Sequence, residues 1–262
     1  MKKNTLLQDF MLQFRVIHAL IIREIHTRYG REDLGFLWVL GEPLIFCAGV
    51  TILWTAIRPS HEHGLPMTAM VVTGYIPLTM WRHCMARSVK AFEANGSLLF
   101  HRQVTPLDII IARSFLEIIG TMMAGVLVFA AAVSTGYMEL PEEPSLLWLG
   151  LLFHMLFSFN TALIFAALTE MSELLEKFLG VFGYLSLPFT GAFIMVDWFP
   201  PQYRWAIMWS PSQESIEMIR AGQFGLNSHA HYDIFYTCWI NVILLIIGLY
   251  LTLRVRRYIF LN

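Results

Sequence analysis

The sequence has 262 residues, of which 56% are apolar and 14% charged, with a formal net charge of -1 and a mean hydropathy of +0.58. An average soluble domain is about one quarter charged, so this composition excludes a soluble enzyme and points to a polytopic helical membrane protein. The near-neutral balance leaves no overall basic field to recruit nucleic acid.

Residues 1–33 carry six Lys or Arg and alternate apolar with polar positions, so no cleavable export signal is expected. Leu7, Phe10, Met11, Phe14, Ile17, His18, Ile21, Ile22 and Ile25 recur every three or four positions, while Gln8, Asp9, Gln13, Arg15, Arg23 and Glu24 take other faces. This pattern predicts an amphipathic helix lying in the membrane interface. An ordinary helix packed on the membrane domain is the alternative, and neither spans.

Six spans are predicted next, at Leu34–Ile57, Met67–Arg87, Ile109–Ser134, Leu146–Leu168, Phe178–Val196 and Ile234–Leu253. Between the last two, Trp198–Phe224 holds Arg204, Glu214, Glu217, Arg220 and three prolines, which favours short re-entrant or interfacial helices over a seventh span. The expected fold is therefore all-α and polytopic. Residues 1–33 form a cytosolic or interfacial helix, and 34–262 a six-span domain with a cytosolic segment at 88–108 and an outer re-entrant segment at 197–232. Cys47, Cys84 and Cys238 fall in apolar stretches and are odd in number, so they read as small buried hydrophobes rather than a disulfide framework or metal site.

Placing both termini in the cytosol puts 15 of the 18 Lys and Arg on the inner side, leaving Arg58, Arg204 and Arg220 outside. The positive-inside rule favours that orientation. The outer side then collects Glu62, Glu139, Glu142, Glu143, Asp197, Glu214, Glu217 and Asp233.

Nowhere does a glycine precede Gly-Lys-Ser or Gly-Lys-Thr at the spacing of a phosphate-binding loop, so any nucleotide must be bound by another chain. His61 with His63 and His229 with His231 sit in polar loops and read as solvated pairs, with no metal expected. No hydrolase motif is present. Glu42, Arg82 and Glu117 are predicted within spans at a similar depth, about 10 Å from the inner surface. Charges there are costly and should pair, either as a fixed cluster locking three helices or as a moving gate.

Arg23-Glu24-Ile25 through Thr27-Arg28-Tyr29, then Leu34-Gly35, Trp38 and Glu42-Pro43, resembles the entry to the first span of ABC-2 type exporter permeases for surface polysaccharides. Asn95-Gly96-Ser97-Leu98-Leu99 leading to Thr105-Pro106-Leu107 is similar to that family's coupling helix region, and Ser210-Pro211 with Glu214, Glu217, Arg220 and Phe224-Gly225 to its re-entrant loop. The three motifs stand in order over nearly the full length. The sequence is most similar to capsule-polysaccharide export permeases of Gram-negative bacteria, although O-antigen and teichoic acid permeases share the architecture.

The resemblance implies a permease in the inner membrane, a homodimer joined to two cytosolic ATPase subunits that hold the ATP and Mg. Its cargo would be a lipid-linked polysaccharide, with periplasmic and outer-membrane export proteins as further partners. It places Glu24 and Arg28 on a gate helix, where their spacing also permits an i,i+4 ion pair. Leu98, Leu99, Phe100, His101, Arg102 and Pro106 are the expected ATPase contact.

Sugars bind through hydroxyl hydrogen bonds and by stacking on aromatic rings, which makes Trp38, Tyr75, Trp81, Phe157, Phe159, Tyr184 and Phe193 candidates for the polysaccharide path. Helix packing and interfacial belts use the same residues. A different class, a membrane enzyme acting on lipid-linked sugars, would need Glu42, Glu117 or His154 in a water-filled cavity.

Overall fold

The computed structural model describes residues 6–29, 37–58, 61–99 and 103–259. Ten helices account for most of them: α1 (Leu6–Tyr29), α2 (Leu37–Ile57), α3 (Met67–Ser88), α4 (Gly96–Leu99), α5 (Pro106–Ser134), α6 (Pro144–Met171), α7 (Glu173–Leu185), α8 (Pro201–Met208), α9 (Pro211–Phe224) and α10 (Ile234–Ile259). Four of these, α2, α5, α6 and α10, are long and apolar enough to cross a membrane. The chain is thus an all-α polytopic membrane protein. Its two ends are named here by their charge, the basic end where α3 finishes and the acidic end where α5 and α6 are joined.

Helix α3 is 22 residues long but polar in its last two turns, with Arg82, His83 and Arg87, and is enclosed by its neighbours over most of its length. The segment read from sequence as the fifth span behaves differently. Helix α7 ends at Leu185, a short 3-10 turn follows at Leu187–Phe189, and 190–195 are irregular. Pro188 inside that stretch removes a backbone donor and stops the helix. Between α2 and α3 a two-stranded antiparallel hairpin pairs His61 with Pro66 and Glu62 with Leu65. Its turn residues, His63 and Gly64, both have positive φ, the requirement of a two-residue hairpin.

Helix starts follow sequence chemistry. Thr105 caps α5 in a reciprocal box with Asp108, and Pro106 takes the first helical position, where its missing N–H costs nothing. Pro144 and Pro211 open α6 and α9 in the same way. Inside α2, Pro43 cannot donate to the carbonyl of Val39, and that carbonyl is turned against α5. A Cβ on Gly120 would come within 2.5 Å of it, so only glycine permits the approach.

The helices bury two apolar clusters. One surrounds α3 toward the acidic end and includes Val72, Leu78, Trp81, Met195 and Phe224. The other, toward the basic end, joins Cys84, Phe92, Leu99, Ile110, Leu163 and Val255. Close packing of α6 on α9 depends on small residues, as expected where lipid supplies no hydrophobic drive between helices. A Cβ on Gly150 would lie 2.8 Å from the Ile219 nitrogen. Cys47 and Cys84 are buried as expected; Cys238 is exposed on α10, whose outward face also shows Phe235, Trp239 and Ile246.

Candidate functional site

Helix α1 forms as its periodicity predicts, and polar contacts fix it to the rest of the chain. Gln13 donates to Asp108, Arg23 Nη1 donates to Asn95 Oδ1 at 2.7 Å, and Glu24 pairs with Arg113 of α5 at 3.0 Å. Phe10, Met11, Phe14 and Ile22 are left facing outward. The inward side is mixed, with Leu20 buried beside Glu24, and Arg15 and His18 share the exposed side with these apolar residues, which suits a helix at a membrane interface. The side chain of Arg28 lies outside the described residues, so the gate pair is represented by Glu24, which is buried against α5.

The charge cluster exists with a different cation. Arg87 lies 3.5 Å from Glu42 and 3.5 Å from Glu117, and His83 lies 3.5 Å from Glu117. Among the described residues Arg82 takes no part. It is five residues from Arg87, which turns it by about 140° and lifts it about 7.5 Å along the helix, so it faces α7 and sits 5.8 Å from the ring centre of Tyr184. Glu42 is also half exposed rather than deep. Arg113 extends the network by donating to the Arg87 carbonyl at 3.0 Å, so α1, α2, α3 and α5 meet in one chain of charges. Sequence spacing could have shown this, since His83 with Arg87 and Arg113 with Glu117 are each four apart on one helical face.

The connection from α3 to α5 folds as a 3-10 turn at Glu93–Asn95 and the short helix α4. Leu98 is half buried, but Leu99 turns inward to the apolar cluster and is not a surface knob. A four-residue helix cannot present two adjacent residues on one face. Phe100, His101 and Arg102 lie outside the described residues; Pro106 is buried at the start of α5. The connection also grips the α6–α7 junction. Lys90 contacts Glu93 and Glu176, each at 3.3 Å, its backbone donates to Thr169 Oγ1 at 3.1 Å, and the Glu93 N–H donates to Glu170 at 3.3 Å. Hydrogen bonds to Glu93 and Glu176 raise the Lys90 pKa and hold it charged.

The aromatic candidates separate into two sets. Trp38 and Tyr184 are 54% and 69% exposed, and Phe193 is partly exposed beside Trp54, with ring centres 5.7 Å apart. Trp81, Phe157 and Tyr75 are core residues: Trp81 stacks on Phe157 at 6.2 Å and donates to Thr161 Oγ1 at 3.2 Å, while Tyr75 packs against Phe46 at 5.8 Å. Phe159 is half buried against the second cluster. Periodicity could not tell the sets apart, because both faces of these spans are apolar.

Helix α9 is polar and yet almost wholly buried. Gln213, Glu214, Glu217 and Arg220 are each at most 1% exposed. Each charge is spent on backbone. Glu217 accepts from the N–H groups of Val196 at 2.9 Å and His231 at 3.1 Å, and from Gln213 Nε2 at 3.1 Å. Glu214 accepts from the Asp233 N–H at 2.6 Å; Arg220 donates to the carbonyls of Ala192 at 2.9 Å and Ile194 at 3.4 Å. Burial pushes the Glu214 carboxyl up to about 7, against the opposing hydrogen bond from Asp233, and also raises Glu217. Beside them Arg204 pairs with Asp197 at 3.0 Å, and His231 lies 3.4 Å from the same carboxylate. These residues shape the loops of the acidic end and do not form a reactive constellation.

The three residues named for the enzyme alternative are placed as follows. Glu42 and Glu117 hold Arg87, and His154 is sealed in the core with Nε2 on the Pro77 carbonyl at 2.9 Å.

The family described as ABC-2 type transporter matches residues 15–224. Among proteins similar to the chain is the capsule polysaccharide export inner-membrane protein CtrC of Neisseria meningitidis serogroup B, 34% identical over 247 residues, covering 94% of this chain and 93% of that protein. The capsule polysaccharide export inner-membrane protein BexB of Haemophilus influenzae is 35% identical over 247 residues with the same coverage. The polysialic acid transport protein KpsM of Escherichia coli is 30% identical over 220 residues, covering 80% of this chain and 82% of its own length. Family match, relatives and helical architecture agree: the chain belongs to the ABC-2 type transporter family.

Proposed function

We propose that this chain is the permease subunit of an ATP-driven exporter that moves lipid-linked capsular polysaccharide from the cytosol across the bacterial inner membrane. The observation that carries the reading is identity of 34–35% over 94% of the chain to two proteins named for capsule polysaccharide export. The physical features support it. The sequence has no phosphate-binding loop, so the motor belongs to separate ATPase subunits that hold ATP and Mg. In this reading two copies of the chain form the channel, α3 and the stretch from α7 through residue 195 complete six spans, and both termini face the cytosol. Glu24 on α1 borders the entrance, and the α3–α5 connection receives the motor's motion. Its grip on the α6–α7 junction through Lys90 and Glu176 passes that motion to α7. Exposed Trp38 and Tyr184 offer stacking surfaces to the glycan.

The test is deletion of the gene with complementation, read as polymer on the cell surface and polymer retained inside, together with affinity purification of the membrane subunit. Surface polymer lost on deletion and restored by the gene, with an ATPase copurifying one to one, is the expected result. Normal capsule in the deletion strain, or a defect in O-antigen or teichoic acid instead, would move the cargo assignment. Absence of any ATPase would overturn the exporter reading itself.

A further inference from the structure

Among the described residues several buried side-chain acceptors have no hydrogen-bond partner, Oε1 of Gln223, Oε1 of Gln213 and Oδ1 of Asn160 with them. Gln223 is set apart by its place. It lines a cavity of about 350 Å³ between α3, α5, α6 and α9, and neither of the other two does. Its Nε2 donates to the Glu139 carbonyl at 2.8 Å, which fixes the amide and leaves Oε1 as the atom without a donor. The residue is only 3% exposed, so bulk water does not satisfy it. Buried acceptors are rarely left in that condition.

The rest of the wall is apolar, with Ile76 on α3, Met122 and Phe129 on α5, and Leu147 and Leu151 on α6. One side is shut where α3 meets α5, since a Cβ on Gly125 would lie 2.9 Å from Ile76 Cγ2. Val126 and Trp148 also line the cavity and are each more than half exposed, so its mouth lies on the outer surface of the bundle. Thr73 and Pro77 share the α3 wall. Pro77 has no N–H, so the Thr73 carbonyl lacks its helical donor, while the Thr73 hydroxyl is engaged with the Ala69 carbonyl at 2.7 Å. No charged side chain is in the lining. The volume falls in the range of small-ligand sites, roughly 300–1,000 Å³.

We infer that this cavity binds a compact apolar molecule bearing one hydroxyl, a phenol or alcohol that enters from the membrane and donates to Gln223 Oε1. Cavities with apolar walls stay dry and take compact hydrocarbons, so water alone is a poor occupant. A charged ligand would find no opposite charge in the lining. An acyl chain fills the space but brings no donor, and Gln223 would remain unsatisfied beneath it. A molecule with both parts covers the wall and completes the acceptor. It also rests against Pro77 and braces α3 on α5 and α6. The inference does not depend on the exporter reading above.

The experiment dialyses the purified full chain in detergent against tritiated thymol, thymol methyl ether or p-cymene, which have nearly one shape and of which thymol alone carries a donor. Bound ligand is counted in excess of that taken up by the detergent without protein. Saturable thymol binding at one molecule per chain is expected, with the ether and the hydrocarbon about five- to tenfold weaker. Gln223→Met removes the acceptor at similar length and should bring thymol down to the level of p-cymene. Leu151→Trp fills the cavity with Gln223 left in place and should abolish the excess for all three. The comparison of ligands on the unaltered chain keeps the test decisive where a variant folds poorly. Equal affinity of thymol and its methyl ether would overturn the hydrogen bond to Gln223. No saturable excess of thymol, or an excess unchanged in a folded Leu151→Trp chain, would overturn the site. A phospholipid that copurifies with the chain, is lost in Leu151→Trp and resists displacement by thymol would give the cavity to an acyl chain and overturn the assignment of occupant.

Discussion

Arg87 and Glu117 approach to 3.5 Å where α3 meets α5, and the same guanidinium reaches Glu42 on α2. Breaking a partly buried charge pair strands the remaining carboxylate, and the partial exposure of Arg87 reduces the cost by solvent screening. Arg87→Ala is expected to lower stability by about 1–2 kcal/mol, read as the unfolding midpoint in detergent, whereas Arg82→Ala changes it little. A larger loss from Arg82 than from Arg87 would restore Arg82 to the cluster.

Glu24 and Arg113 pin α1 to α5 through a pair of low exposure. Glu24→Arg and Arg113→Glu should each loosen α1, measured as faster proteolysis of the first 30 residues. The double reversal should recover part of the protection, with a coupling of about 1 kcal/mol. Recovery is incomplete because Arg113 also donates to the Arg87 carbonyl. No recovery at all would mean that the pair does not hold the helix.

Exposed and buried aromatics should fail in different ways. Trp38→Ala and Tyr184→Ala are expected to reduce polymer export with normal amounts of protein in the membrane. Trp81→Ala and Phe157→Ala remove stacked core side chains and should cost about 3–5 kcal/mol, seen as lost protein rather than slowed export. Full export in the Trp38, Tyr184 double variant would end the stacking idea.

The acidic end carries a pH dependence. Glu214 titrates near 7 in the fold and near 4.5 when unfolded, so the folded chain binds the extra proton between those values. Its contribution is fully present below about pH 4.5 and is lost as pH rises through about 7. Glu214→Gln, which keeps an acceptor for the Asp233 N–H without the charge, should flatten that fall in thermal stability between pH 5 and pH 8. An identical slope in the variant would assign it elsewhere.

For the motor contact, neighbouring residues provide the contrast. Cysteines at Ser97 and Leu98 should crosslink to the ATPase, and one at Leu99 should not, because that side chain faces the core. Leu99→Asp should reduce protein yield, while Phe100→Asp or Arg102→Glu should release the ATPase with the membrane subunit intact. Efficient crosslinking from Leu99 alone would reverse the assignment of faces.

Apolar runs of some 20 residues have one structural outcome in lipid, and for that reason α2, α5, α6 and α10 were legible from hydropathy alone. The cap at Thr105 and the start at Pro106 were legible from local backbone chemistry. Which cation meets Glu117 was not, because it depends on how α3 is rotated between α5 and α7, and both Arg82 and Arg87 satisfy composition. Trp81 and Trp38 likewise look alike in sequence, yet one is enclosed and the other is outside. The charges of Glu214, Glu217 and Arg220 marked the segment as special, but their partners are backbone groups of 192–196 and 231–233, which leave no signature in residue type.

Those partners bear on the order in which the chain is made. Val196 precedes α9, whereas His231 and Asp233 follow it and immediately precede the last helix. During synthesis α9 therefore emerges with only part of its hydrogen-bonding complement, and the carboxylates of Glu214 and Glu217 have to stay in contact with water until residues 231–233 leave the ribosome. Insertion of α10 is then the event that closes the acidic end. A nascent chain arrested before residue 231 should hold α9 accessible to water-soluble maleimides placed along it, and release of a few more residues should protect it.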